Sequence, residues 1–334
     1  MKVEDFKYPL SESAIAQKAI EPRHDSQLLD TRDMSDHRFL DLPSLLDPGD
    51  LVVVNETRVR AARLSGRRVD TGGAVELLLL ETRPDGLWEA LARPSRRLRP
   101  GIEIEMEGIA ATIVNGPDEG MVVVDLKAAD VEAAIATAGE VPLPPYFHGV
   151  LDDPDRYQTM FARGTGSAAA PTAGLHFTPD VIAGLQQREI EIATVDLHVG
   201  IDTFRPIATE NLEDHVMHSE WCSIPESTAA AVASARARGG RVVAVGTTVA
   251  RTLETFADGD GMVPAGGGDT SLFLTPGVEF RVVDALVTNF HVPGSTLVVL
   301  VAAFMGDGWR VAYQTALERG YRFLSFGDAM LAER

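Results

Sequence analysis

Between residues 51 and 126 the sequence breaks into short apolar runs, and this segmentation restricts the fold more than any other feature. The runs are Leu51–Val54, Val75–Leu80, Leu87–Ala92, Ile102–Met106, Ala110–Val114 and Met121–Leu126. Turn signals separate them: Thr71-Gly72-Gly73, Pro84-Asp85-Gly86, Arg99-Pro100-Gly101 and Asn115-Gly116-Pro117. Each run is too short for a helix, and Gly and Pro punctuate the gaps. The pattern predicts a small antiparallel barrel or sandwich, placed at 62–145.

The chain on either side follows a different rhythm. Thr178-Pro179 opens an expected helix to Arg188, with Thr178 as cap and Pro179 at the first helical position. A strand is expected over Glu191–Leu197. Ser223-Ile224-Pro225-Glu226 reads as a capping box before a helix that runs through Ala237 and ends at Gly239-Gly240. Arg241–Val245 and Val282–Phe290 read as strands, Val249–Phe256 as a helix, and Ser295-Thr296 as the start of an apolar helix. Strand–helix alternation of this kind argues for α/β layers. Residues 1–60 show one helical stretch near Ser11–Ala19 and one strand, Leu51–Val54. Gly259–Asp269 reads as a flexible loop. The expected architecture is a layered α/β catalytic domain, 1–61 and 146–334, with the antiparallel β-barrel of 62–145 inserted into it.

With 334 residues, two domains are a natural expectation. Hydrophobic residues make up 45%, which excludes wholesale disorder. The single cysteine, Cys222, excludes a disulfide scaffold. The first seven residues do not read as a signal peptide. The most apolar run, Leu297–Met305, is well short of the ~20 residues that cross a bilayer. A soluble cytoplasmic protein is expected. Net charge is −19, which normally argues against a polyanionic partner. However, ten arginines and only five acids lie between Arg58 and Arg99, leaving that stretch at +5 and the rest at −24. A basic island in an acidic chain reads either as a polyanion footprint or as a solvated strip of a β domain.

Three expected strands run into polar residues: His198-Val199-Gly200, Gly246-Thr247-Thr248 with Arg251 one turn later, and Thr288-Asn289-Phe290-His291. Ligands of open α/β sheets bind beyond the carboxyl ends of strands. A Gly-Thr-Thr turn into a helix offers backbone N–H groups and hydroxyls to an anion. A fourth segment, Ala168 to Phe177, is rich in small residues and carries His176, a candidate donor or base near neutral pH. His215 and His218, three apart with Glu220 following, invite a metal reading if they share a helical face. No other metal signature accompanies them.

Taken together these segments closely resemble the S-adenosylmethionine:tRNA ribosyltransferase-isomerase family of queuosine biosynthesis. The matching runs include Pro48-Gly49-Asp50-Leu51, Asn55-Glu56-Thr57-Arg58-Val59, Pro142-Leu143-Pro144-Pro145-Tyr146 and Tyr157-Gln158-Thr159. They continue through Ala169-Ala170-Pro171-Thr172-Ala173-Gly174-Leu175-His176-Phe177, Leu197-His198-Val199-Gly200, Thr203-Phe204 and Met217-His218-Ser219-Glu220. The last are Val245-Gly246-Thr247-Thr248, Val283-Asp284-Ala285-Leu286, Thr288-Asn289-Phe290-His291, Tyr321-Arg322-Phe323 and Gly327-Asp328-Ala329-Met330. They span nearly the whole chain, in order.

The resemblance implies donation and isomerisation of the ribosyl part of S-adenosylmethionine onto the aminomethyl group of 7-aminomethyl-7-deazaguanine at the tRNA wobble position. Epoxyqueuosine-tRNA, adenine and methionine would result. It implies no metal or redox cofactor, with S-adenosylmethionine as co-substrate, and a monomeric enzyme. This chemistry needs a base for the proton beside the sulfonium, an acid for departing adenine, and a neutral attacking amine. His176, His198, His291 and His218 are the candidates, with His176 and His198 expected nearest the chemistry. Thr172, Gly174, Gly200, Thr247, Thr248, Arg251, Asn289 and Asp328 are expected against substrate. Within that set, Thr247, Thr248 and Arg251 suit a methionine carboxylate or a phosphate, and Asp328 suits a hydroxyl or the ordering of an arginine. Asn55, Thr57, Arg58, Arg60, Arg93, Arg96 and Arg97 are expected against tRNA.

The chain departs from the family pattern at Ala168, at Val249-Ala250 after the paired threonines, at Gly294 and at Glu56. These bear on acceptor choice. A paralogue using the same sulfonium chemistry on a non-tRNA amine would share most of these motifs, and a catalytically silent RNA-binding protein would keep the basic island.

Overall fold

The computed structural model describes residues 1–118, 120–148, 151, 153–200 and 206–334, so Thr203 and Phe204 lie outside the described residues. The chain divides into two compact units, Met1–Arg58 with Pro144–Arg334, and Val59–Leu143.

The strands in chain order begin with β1 (Gln27–Asp30), β2 (Ser35–Arg38), β3 (Leu51–Asn55) and β4 (Arg58–Val59). Those of the second unit are β5 (Arg63–Arg68), β6 (Ala74–Thr82), β7 (Trp88–Arg93), β8 (Glu103–Met106), β9 (Ile109–Asp118) and β10 (Met121–Lys127). The rest are β11 (Thr165–Ser167), β12 (Glu191–Leu197), β13 (Glu220–Ile224), β14 (Val242–Val245), β15 (Gly266–Thr270), β16 (Ala285–Asn289) and β17 (Ala329–Glu333). The helices are α1 (Leu42–Leu45), α2 (Val131–Ala138), α3 (Pro179–Gln187), α4 (Glu226–Ala237), α5 (Thr247–Phe256), α6 (Thr296–Met305) and α7 (Gly308–Glu318).

In the larger unit nine strands form one mixed sheet, ordered β15-β13-β12-β3-β14-β16-β17-β1-β2. Its centre, β12-β3-β14-β16, is parallel throughout. Both faces of a central parallel strand are covered, so successive residues must all be apolar. In β3, Leu51 and Val53 pack into one core and Val52 and Val54 into another. Burying each of these side chains contributes about 1.5–3 kcal/mol. Helix α6 is apolar all round because it lies inside the first core, and the Ser295 hydroxyl caps it by accepting from the Val298 amide at 3.4 Å. Among the described residues no single helix is long and apolar enough to cross a membrane; α6 and α7 bend by 115° at their junction.

The smaller unit is a closed six-stranded barrel, ordered β10-β7-β6-β5-β8-β9. Each strand of the barrel pairs antiparallel with its neighbours. Val75, Leu77 and Leu79 alternate inward from β6, as do Val122, Val124 and Leu126 from β10. Gly66 lets β5 and β8 close together: a β-carbon there would fall 2.5 Å from Met106 Cγ. The unit starts at Val59 rather than 62 and ends at Leu143 rather than 145. Mutual backbone bonds between Arg63 and Glu140 tie its two ends together.

Several local expectations fail for tertiary reasons. Ser11–Ala19 is not helical beyond a single turn at Glu12–Ala14. Its backbone is drawn out to bond Phe323, from the Ala16 amide and to the Ala14 carbonyl. Strands β1 and β2 in the same region were not expected. Thr178 precedes α3 but does not cap it, because its hydroxyl meets His24 Nδ1 at 2.6 Å. Ser223 is no capping-box residue, since it lies within β13, paired to Asp196 and Gly267. Gly266–Asp269, expected in a loop, forms most of β15, where the absence of side chains lets the strand pass beneath Trp221. His215 and His218 follow a three-residue turn and share no helix.

Candidate active site

The carboxyl ends of the parallel strands converge on an open cavity. Gly246-Thr247-Thr248 enters it from the end of β14, Thr288 to Val292 from the end of β16, and Ala170 to Ala173 from the small-residue segment. Val199, just past β12, and Tyr146 complete most of the wall. This is the expected position for a ligand in an open α/β sheet. Gly246, at φ +93°, makes the tight turn that aims the first amides of α5 into the cavity. No side chain caps that helix end, so its N–H groups remain available to an anion. Among the described residues, Thr248 Oγ1 is buried and has no hydrogen-bond partner. A buried hydroxyl left in this state calls for a ligand or water.

Of the four histidines, only His291 lines this cavity. Its Nε2 meets Thr288 Oγ1 at 2.8 Å. Its own amide donates to Tyr313 OH at 3.2 Å, and its carbonyl accepts from Tyr8 OH. The ring is therefore fixed at both backbone and side chain.

His176 ends the 3-10 turn Thr172–His176 and lines a smaller neighbouring cavity beside Arg23, Arg156 and Arg322. Both of its nitrogens are engaged, Nδ1 with Ser26 Oγ at 2.7 Å and Nε2 with Asn289 Nδ2 at 3.1 Å, while Phe39 stacks on its face. Asn289 organises this corner. Its amide nitrogen also donates to the Asp328 carbonyl, and its oxygen accepts from Thr172 Oγ1 at 3.0 Å. Asn289 and Thr172 line the main cavity, and Ser325 lines both, so the two cavities share a wall.

Asp328 is fully buried, and its carboxylate accepts from the Gln27 amide, the Arg322 amide and Arg322 Nη2. Of the two roles expected for it, it orders an arginine. A substrate hydroxyl would have to displace bonds already made. Gly174 touches Thr159 rather than the cavity: a β-carbon there would lie 3.1 Å from Thr159 Cγ2.

Burial holds His176 at about 4 and His291 at about 3, below the usual histidine value of 6.5. Around His176 the Asp328 carboxylate partly offsets burial, while Arg322 and Arg23 add to it. Both rings are neutral at pH 7. In the unfolded chain they take up protons near pH 6.5. Between that point and their folded values the unfolded state holds more protons, so stability rises with pH. Each ring contributes a slope of about 1.4 kcal/mol per pH unit. Urea midpoints are expected to fall on acidification from pH 6.5 to 5, and His176→Asn or His291→Asn to flatten that dependence. A slope unchanged in both variants would contradict the assignment.

Glu220, which the metal reading had singled out, bridges two site segments. One oxygen accepts from the Gly200 amide at 2.7 Å and the other from Arg251 Nη1. Gly200 is thus held through its amide by protein. Arg251 is buried, also donates to the Leu272 carbonyl, and among the described residues has no partner for Nη2. It lies behind Thr248 rather than on the cavity wall. Among the described residues no group of three His, Cys, Asp or Glu is placed to hold a metal ion. His218 is exposed, and His198 lies outside the cavity against Trp221. Burial pushes the Cys222 thiol up to about 11, which keeps it protonated.

The residues expected against tRNA divide. Asn55 is buried, and its side chain bonds the Leu197 carbonyl, the Leu197 amide and the Thr57 amide. It locks the ends of β3 and β12 together, so direct contact with RNA is excluded while these bonds hold. Thr57 is likewise buried. Arg58 lies 3.7 Å from Asp155. In the barrel, Arg60 packs over Trp88 and lies 3.8 Å from Glu132. Arg93, Arg96 and Arg97 are exposed around the turn after β7, and no acidic partner is found for them among the described residues. Ser26, Thr288, Tyr146 and Glu220 are site residues that sequence reasoning missed in these roles. Three of them stood within quoted motifs, whereas Ser26 carried no signal.

The family model described as queuosine biosynthesis protein matches residues 3–332. The S-adenosylmethionine:tRNA ribosyltransferase-isomerase of Moorella thermoacetica is 49% identical over 340 residues, covering 99% of each chain. That of Symbiobacterium thermophilum is 50% identical over 339 residues, again covering 99% of each. The crystal structure of S-adenosylmethionine tRNA ribosyltransferase from Thermotoga maritima is similar at a TM-score of 0.56 and 36% identity. It covers 98% of this chain and 99% of that one.

Proposed function

The chain belongs to the queuosine biosynthesis protein family, and from that premise we propose that it is an S-adenosylmethionine:tRNA ribosyltransferase-isomerase. In this reading it transfers and isomerises the ribosyl moiety of S-adenosylmethionine onto 7-aminomethyl-7-deazaguanine at the tRNA wobble position, releasing adenine and methionine. The observation that carries it is the cavity at the ends of β14 and β16, where an uncapped helix start, a spare threonine hydroxyl and a neutral imidazole meet.

Each feature has a task in that chemistry. The amides and hydroxyls of Thr247 and Thr248 suit the methionine carboxylate, favoured by the α5 dipole. The carbon beside the sulfonium is acidified by the positive charge, and a neutral His291 can take its proton at pH 7. Departing adenine must gain a proton, so the same ring, once protonated, is placed to return one. His176 is a positioning residue, because its two nitrogens are already committed to Ser26 and Asn289. Arg93, Arg96 and Arg97 suit phosphates of the tRNA. S-adenosylmethionine serves as co-substrate with no further cofactor, and the enzyme acts as a cytoplasmic monomer.

The test is product analysis with S-adenosylmethionine and an anticodon stem-loop carrying the aminomethyl-deazaguanine. Adenine, methionine and epoxyqueuosine in the RNA are expected by mass spectrometry. Adenine release that ignores the RNA would replace this reading with a different amine acceptor. The same assay should show the RNA KM rising steeply with salt. Replacing Arg93, Arg96 and Arg97 together by alanine should flatten that dependence by about 0.7–0.9 log units per lost contact.

A further inference from the structure

Trp221 is the one exposed tryptophan among the described residues: 42% exposed, against 4% for Trp88 and 3% for Trp309. It lies in β13 directly across from the end of β12, where the His198 amide donates to its carbonyl at 3.0 Å. The His198 ring sits 4.9 Å from the indole, tilted by 44°. Glycine backbone underlies both rings. A β-carbon on Gly166 would fall 2.4 Å from His198 Cε1, and one on Gly267 would fall 3.2 Å from Trp221 Cζ2. Side chains at these two positions would push the rings out of place. The next residue along, Val199, lines the main cavity, so the paired rings lie one residue along the chain from its wall.

We propose that Trp221 and His198 form a stacking shelf for an unpaired nucleobase of the RNA substrate, adjacent to the one that enters the cavity. This rests on the reading above, in which an RNA base must leave its stack to reach the site. Flat aromatic faces accept any base, because every base has a π-face. Charge selects the base rather than the backbone. The Asp196 carboxylate lies 3.4 Å from His198 Nε2 and would repel a phosphate placed there. It also steadies the ring, leaving the face for contact. His198 is then a binding residue whose position one step from the cavity explains why it resembles a catalytic one in sequence.

The test combines equilibrium binding with turnover. Stem-loop RNA is expected to quench tryptophan emission of the wild-type protein, and Trp221→Ala to abolish that quench. Trp221→Ala should raise the RNA KM about tenfold with the S-adenosylmethionine KM unchanged, while Trp221→Phe keeps most of the affinity. An abasic nucleotide beside the acceptor, tried on each side, should remove the difference between wild type and Trp221→Ala on one of them. Product formation with no quench and an RNA KM unchanged in Trp221→Ala would overturn the shelf. So would a loss in that variant that persists on both abasic RNAs. Quenching without any modified RNA would instead leave the shelf and overturn the transferase reading.

Discussion

Replacing His291 by alanine is expected to lower kcat about 10²–10⁴-fold, the range for loss of a positioned acid–base group, with little change in the KM for S-adenosylmethionine. Four histidines are candidates by residue type, but the fold leaves only this one on the cavity wall. The backbone at 291 is clamped by Tyr8 and Tyr313, so truncation removes the ring without moving the chain. Burial keeps the ring neutral, with its value at about 3, which populates the base form across the neutral range and also makes it a weaker base than a free imidazole. His291→Gln restores a polar partner for Thr288 but no basic nitrogen, and should not rescue kcat. By contrast His198→Ala should act on the RNA KM, and His218→Ala, on an exposed segment, on neither. Single-turnover rates of adenine release would decide it. A His291→Ala rate within a few-fold of wild type would remove this ring from the chemistry.

Asp328→Ala is expected to cost about 2–4 kcal/mol of folding stability, the range for truncating one side of a buried hydrogen-bonded pair whose partner is partly solvated. The carboxylate is 0% exposed and accepts three hydrogen bonds at 2.7–3.0 Å, two of them from Arg322. It joins the start of β1 to the chain entering β17, which are parallel neighbours in the sheet. Its carbonyl also holds Asn289, and through it His176. The variant should therefore lose activity together with stability. Denaturant titration measures the first and turnover the second. A loss below about 1 kcal/mol would mean that water replaces the carboxylate without cost.

The strands and helices that periodicity marked most clearly agree with the fold. Glu191–Leu197 is a strand over that span, and the helix expected to reach Ala237 does so. Both signals are local, since they depend on which residues must face a core at a given spacing. The missed elements are those whose reason is distant. In β5, which begins and ends in arginines, the single buried apolar residue is Leu64. Its strand character comes from pairing with β6 and β8. β15 is glycine-rich and owes its conformation to β13 beneath Trp221. Residues 11–19 carry helical spacing but are held extended by Phe323.

The site divides in the same way. By itself the sequence determined which chemistry the chain carries: the imidazoles, the paired threonines before a helix, the small-residue run and the arginine-rich barrel. It also determined that polar residues stand at strand ends, because apolar runs stop there. Only the tertiary structure decided which of them face the ligand. Ser26, His176, Asn289 and Asp328 lie far apart in the chain yet form one hydrogen-bonded corner. Asn55 and Asp328 have the residue types of a binding site but are used up in holding strands together. Burial, which sets a histidine at about 3 and leaves a threonine hydroxyl without a partner, is a property of everything packed around a residue and is not written at its own position.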